Sequence, residues 1–170
     1  MPTDRWPLRL AQNPDAPALA RLSRDLIEVG LGWRYDTPRM LRLLRHAETL
    51  VPVVCDADVP VGFAAMQFGD EQAHLVLLAV APSHQRQGVA RQLLHWLLDS
   101  ARSAGMAEVN LELRTSNAGA RAFYRAMGFS DAGLLPGYYQ QRESALRMRR
   151  VLRPATLPEV AWQAPTLRRP

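Results

Sequence analysis

Apolar positions in the N-terminal part recur at intervals of three and four. Leu19, Leu22, Leu26 and Ile27 fall on one helical face, in a segment that opens at Asn13 or Asp15 and closes at Gly30. A second helix is predicted after Tyr35, with Thr37 as its cap and Pro38 at its first helical position. Ahead of both, Trp6 to Ala11 reads as a short strand. The period then changes. The stretch from Thr49 to Pro82 is strongly apolar and broken only at Asp56-Ala57-Asp58 and Gly69-Asp70-Glu71, which predicts three strands joined by hairpins. A long amphipathic helix follows, from Gly88 to Ala104, with Val89, Leu93, Leu94, Trp96, Leu97 and Ala101 on its buried side and Arg91, Gln92, Asp99 and Arg102 on its wet side. Glu108 to Arg114 alternates cleanly, Val109, Leu111 and Leu113 against Asn110, Glu112 and Arg114, and reads as a strand. A further helix runs from Asn117 to Gly128. Two last strands, Ser130 to Gln141 and Glu143 to Leu152, are joined by an irregular link.

This order predicts an α/β (α+β) domain. Its core is a mixed, mostly antiparallel twisted sheet of about six to seven strands with helices on both faces. The strand–helix–strand run in the middle implies a right-handed crossover and a parallel pair, residues 73–81 beside 108–114. The expected organisation is one domain over residues 1–153 and a Pro- and Arg-containing tail over 154–170.

Composition adds exclusions. Hydrophobic residues at 48% and charged residues at 22% fit a globular chain, and no apolar run is long enough to span a bilayer. The N terminus lacks the apolar segment of a signal peptide, and the single Cys55 rules out an internal disulfide; a cytoplasmic protein without membrane contact is expected. Every basic residue is Arg. The first 141 residues are electrically neutral, and the whole net charge of +5 sits in the last 29. The body therefore does not attract polyanions, and nucleic acid is an expected partner only through the basic tail. No His, Cys or carboxylate set has metal-ligand spacing, so no metal is expected.

The segment "HQRQGVARQLL", His84 to Leu94, carries the clearest chemistry. It follows an uncharged run and opens a helix, where free backbone N–H groups and the helix dipole favour an anion. A P-loop needs a Lys that the chain does not have, and a dinucleotide loop needs glycines beyond Gly88. From these residues alone two readings remain, an ordinary strand-to-helix turn and a phosphate cradle.

The wider pattern resembles the GNAT (Gcn5-related) N-acetyltransferases. Gln85, Gly88 and Ala90 match that family's Q-x-x-G-x-A pyrophosphate loop. It is preceded here by "AVAP" and followed by "SN" at Ser116-Asn117 and by "AFYRAMGF" from Ala122 to Phe129. "LELRTSN", "GYYQ" and "ESALRM" resemble stretches of the bacterial ribosomal-protein-alanine N-acetyltransferases. The N-terminal third departs from that pattern, and the tail is extra.

The resemblance implies acetyl-CoA as co-substrate. The backbone of Leu78, Ala79 and Val80 would pair with its pantetheine arm. The loop Arg86, Gln87, Gly88, Val89, Ala90 and Arg91 would hold its pyrophosphate, and Asn117 would bind its arm. It further implies Glu112 as general base, directly or through water, Tyr124 as general acid toward the departing thiolate, and Tyr138 and Tyr139 as acceptor-groove residues. A base suits the reaction, because deprotonating an α-amine at pH 7 costs roughly 1 kcal/mol and a lysine side chain on the order of 4–5. Glu112 also reads as a strand carboxylate paired with an Arg, Asn117 as a plain N-cap, and the tyrosines as packing. His74 and His84 read as structural or solvated. The implied acceptor is a primary amine, either a protein N-terminal α-amine, a protein lysine or a small molecule, taken by a monomer or homodimer. A non-catalytic acyl-CoA-binding module is the alternative.

Overall fold

The computed structural model describes residues 6–153. Strand β1 (Leu8–Leu10) leads through a 3-10 turn into helix α1 (Ala16–Leu26). Asp15 anchors that turn: its carboxylate accepts two bonds from the Arg9 guanidinium, at 2.7 and 3.0 Å, and one from the Gln12 N–H at 2.7 Å. Helix α2 (Thr37–Arg45) is capped by Asp36, not by Thr37 as the sequence predicts. The Asp36 carboxylate accepts the Arg39 N–H at 2.9 Å, and Thr37 and Pro38 fill the first turn. Then come β2 (Thr49–Leu50), β3 (Pro52–Asp56), β4 (Val59–Phe68), β5 (Gln72–Val80), α3 (Val89–Ser103), β6 (Glu108–Arg114), α4 (Ala118–Ala126), β7 (Ser130–Tyr139) and β8 (Glu143–Val151). The irregular link expected before β8 is a tight turn with Gln140 and Gln141 both at positive φ.

The sheet order is β1-β3-β4-β5-β6-β8-β7, with β2 pairing to the far end of β4. It has eight strands, above the expected six or seven, because Thr49–Leu50 forms its own short pair. Only β5 and β6 run parallel, as the crossover through α3 requires.

That parallel pair is much shorter than the sequence predicts. It holds over Gln72–His74 and Glu108–Asn110 and then ends. The cause is a bulge: Ala65 pairs with Leu77 and Met66 with Leu75, so Val76 is an extra residue in β5. One extra residue turns the strand over. Ala73 and Leu75 belong to the core under α3 and α4, whereas Leu77 and Ala79 belong to the core under α1 and α2. The first core is dominated by Leu93, Leu94, Leu97, Leu98, Leu111 and Met148, the second by Leu19, Met40, Val53 and Phe63, all fully buried. Past the bulge β5 and β6 separate, and a wedge opens between them.

Candidate active site

The wedge is a cleft of about 690 Å³. Three elements wall it. The splayed strands contribute His74 to Leu78 and Leu111 to Arg114, helix α4 contributes Asn117 and Ala120 from its start and Tyr124 from its last turn, and the segment linking α1 to α2 closes the top together with Tyr138 and Tyr139. Of the residues predicted from sequence, Leu78, Glu112, Asn117, Tyr124, Tyr138 and Tyr139 all line this space. Ala79 and Val80 do not; they are buried in β5 directly beyond it. Among the described residues, no strand pairs with the β6-facing edge of β5 after His74, so main-chain groups there are available to an extended ligand.

The loop Arg86–Arg91 lies outside the cleft, at the start of α3. Arg86 and Gly88 both take positive φ, +61° and +88°. A Cβ on Gly88 would meet nothing within 4 Å, so the backbone faces open space. Two side-chain amides hold the loop from behind: Gln85 donates to the Val80 carbonyl and Gln87 to the Ser83 carbonyl, each at 2.9 Å. The Gln92 N–H bonds back to Gly88, which leaves the N–H groups of Val89, Ala90 and Arg91 ahead of the first intrahelical bond. Arg86 and Arg91 are exposed, and neither forms an ion pair among the described residues. His84 bonds Asp56 at 3.0 Å and packs on Trp6, a bracing role consistent with a structural histidine.

Glu112 sits mid-strand on the face opposite Leu111 and Leu113, with 9% of its side chain exposed. Its partner is Arg147, its cross-strand neighbour on β8, at 3.1 Å. Its other oxygen meets His74 Nε2 at 2.5 Å. His74 and then Arg147 hold the carboxyl below the usual carboxylate range, against the opposing effect of burial. Because the folded value is lowered, Glu112 contributes stability above its ordinary value of 4.5, and the contribution is lost as pH falls through the folded value. Thermal melts of wild type and Glu112→Gln across this acid range check it: the wild-type advantage should shrink below that pH, and an unchanged gap would contradict the pairing.

Arg114, two residues further along β6, binds Glu143 at 3.3 Å and the carbonyls of Ile27 and Val29 at 3.2 and 2.5 Å. It thereby ties the α1–α2 segment to β6. Gln140 adds a bond to the Leu31 carbonyl. Inside that segment the buried Glu28 accepts from the Ser23 hydroxyl and from the N–H groups of Arg34 and Tyr35. The α1–α2 wall of the cleft is therefore held at several points.

Tyr124 is buried, with edge-to-face contacts to Phe123 and Phe129 at 5.2 and 5.6 Å. Burial pushes its phenol far above the ordinary value, so it stays protonated at any working pH. Among the described residues nothing hydrogen-bonds its hydroxyl. Asn117 caps α4, its side-chain oxygen accepting the Ala120 N–H at 3.0 Å, and its amide NH₂ remains for the cleft. Tyr138 is half exposed, while Tyr139 is more enclosed and its phenol is pushed up to about 12 by burial. A second, more open cavity of about 950 Å³ lies on the same sheet face over β6 and β8. It shares Gln67, His74, Glu112 and Tyr138 with the first.

The sequence reads His74 as structural or solvated, and the structure sets it in the cleft wall bonded to Glu112; Glu28 and the α1–α2 segment are not singled out by the sequence. His74 was findable in principle, since it has the same outward parity on β5 as Glu112 on the neighbouring parallel strand. Glu28 carried no signal, because its role is to take the N–H groups of a loop whose path the sequence does not display.

The profile of the Acetyltransferase (GNAT) family matches residues 17–129. The chain is 42% identical over 89 residues to the [Ribosomal protein bS18]-alanine N-acetyltransferase of Escherichia coli (strain K12), covering 51% of this chain and 60% of that relative. It is 36% identical over 96 residues to the streptothricin acetyltransferase of Streptomyces lavendulae, covering 55% and 50%. Its fold superposes on the ribosomal-protein-S18-alanine N-acetyltransferase structure from Escherichia coli with a TM-score of 0.78 at 27% identity, over 93% of this chain and 99% of that one. The aligned sequence thus spans less than two thirds of either curated relative.

Proposed function

The chain belongs to the GNAT acetyltransferase family, and from that premise we propose that it moves the acetyl group of acetyl-CoA to a primary amine, with a polypeptide N-terminal α-amine as acceptor. One observation carries this reading: the wedge between β5 and β6 brings an unpaired strand edge, a buried protonated tyrosine and a paired carboxylate into a single cleft.

The residues fit the donor. A pantetheine-like arm suits the open edge of β5 at Leu78 to Val80. A pyrophosphate suits the free N–H groups from Arg86 to Arg91, with the exposed Arg86 and Arg91 adding charge-assisted bonds. The Asn117 amide is placed to bond the arm where it enters the cleft. Acetyl-CoA, when bound, supplies an activated acyl carbon and a thiolate leaving group. Tyr124 then donates its phenolic proton to that sulfur. Glu112 serves the other end of the reaction, where the amine must lose a proton before it can attack.

A polypeptide acceptor is supported by the shape of the approach. Val29 and Tyr138 are exposed apolar or aromatic groups in the cleft lining, and the second cavity continues the first through four shared residues. An extended chain has room there beyond its terminal amine. The likeness to streptothricin acetyltransferase favours a second reading, a small amine as acceptor. Purified protein, acetyl-CoA and a panel of N-terminal peptides and small amines, read by free-thiol release, separates the two. Peptides bearing a free α-amine are expected to turn over fastest, and turnover confined to small amines would select the second reading.

A further inference from the structure

We propose that His74, through its Nδ1, is the group that takes the proton from the acceptor ammonium, and that Glu112 positions and charge-stabilises it. This rests on the acetyltransfer reading above and assigns a role within it to a residue from another strand. Glu112 is badly placed to accept a proton itself. One of its oxygens is occupied by Arg147 at 3.1 Å, the other by His74 at 2.5 Å, and only 9% of the side chain is exposed. His74 is the accessible member of the pair, with 43% of its side chain exposed, and it borders both cavities. A neutral imidazole that donates Nε2–H to a carboxylate keeps its lone pair on Nδ1. The carboxylate then stabilises the imidazolium that forms when Nδ1 is protonated. The lowered carboxyl of Glu112 agrees with this division of labour, since it keeps the negative charge where the cation develops.

The step balances. An N–H bond of the ammonium breaks, and its proton goes to Nδ1 directly or through one water. The freed nitrogen pair attacks the thioester carbon, and the carbon–sulfur bond breaks. The sulfur takes the Tyr124 proton, and the second proton lost by the nitrogen restores Tyr124. The imidazolium releases its proton to solvent at the exposed side. Glu112 on β6 touches His74 directly, and the other titratable and charged groups lining the two cavities it borders are Glu108 and Arg114 from β6, Arg147 and Arg149 from β8, Tyr138 and Tyr139 from β7, Tyr124 from α4, His46 and Glu48 ahead of β2, and Glu28, Arg34 and Tyr35 from the α1–α2 segment.

The test is thiol release with an N-terminal peptide as a function of pH, for wild type, His74→Gln and His74→Ala. Without the imidazole, only the peptide fraction already deprotonated can react. The variants should then lose at least about tenfold in kcat/KM near pH 7 and recover most of it near pH 9. With a lysine-like amine near pH 7 the deficit should grow to about a thousandfold. Imidazole added to His74→Ala should restore rate in proportion to its free base. A loss of the same size at both pH values, full activity in the variants, or no restoration by imidazole overturns the assignment. A wild-type protein that releases no thiol with any amine defeats the acetyltransfer reading and this one with it. Unchanged stabilisation of the variants by acetyl-CoA shows that the donor site has stayed intact.

Discussion

Tyr124→Phe is expected to lower kcat by about 100-fold or more, while acetyl-CoA binding, read by calorimetry, stays within a few-fold. The substitution removes one oxygen and keeps the ring that packs edge-on against Phe123 and Phe129. Its effect on folding should therefore be small, and the loss should fall on the chemical step. The proposed reason is protonation state. Burial holds the phenol neutral, so a proton is present when the thiolate leaves. Tyr124, in the last turn of α4, lines the same cleft as Asn117 and the β5 edge. Normal turnover in the variant would remove the acid role.

Gly62→Val is expected to lower Tm by about 3–10 °C and to weaken acetyl-CoA binding together with it. Gly62 lies on β4 opposite Val80, directly beneath the first turn of α3. A Cβ there would come within 2.7 Å of Val89 Cγ1 and 3.4 Å of both the Ala79 carbonyl oxygen and Leu93. Val89 is β-branched, 1% exposed and the first residue of the helix, so it has no free rotamer to move into. Relief must come from lifting the N terminus of α3. That same turn carries the N–H groups proposed to hold the pyrophosphate, which couples stability to donor affinity. An unchanged melting temperature would show that the sheet accommodates the methyl groups, and the coupling would fall.

Element types were legible because they rest on short-range patterns. The alternation of Glu108 to Arg114 and the helical stripe from Val89 to Ala101 appear in the structure almost residue for residue. The helix cap was misread by one position, since Asp36 and Thr37 are both good caps and the choice depends on backbone angles. The β5–β6 pairing was overestimated for a larger reason. Val76 looks like any strand residue, and its bulge exists only in relation to β4. That one residue creates the wedge, so the feature that makes a site was the feature least visible in sequence. The open helix start at Gly88 was readable because a glycine and the run into α3 leave a local signature. The path of the α1–α2 wall was not, because Arg114 and Gln140 hold it through contacts distant in sequence and Glu28 through a loop whose course the sequence does not display. His74 falls between these cases: its partner lies 38 residues away on a strand whose register had first to be known.

The central proposal is acetyl transfer to an α-amine in this cleft, and mass spectrometry of the product tests it most directly. A peptide carrying both a free N-terminal α-amine and a lysine is incubated with acetyl-CoA and either wild type or Tyr124→Phe. The account predicts one acetyl group on the α-amine, formed in step with thiol release and nearly absent with the variant. Stabilisation by acetyl-CoA with no acetylated product from any amine would contradict it, and would leave a binding module in place of an enzyme.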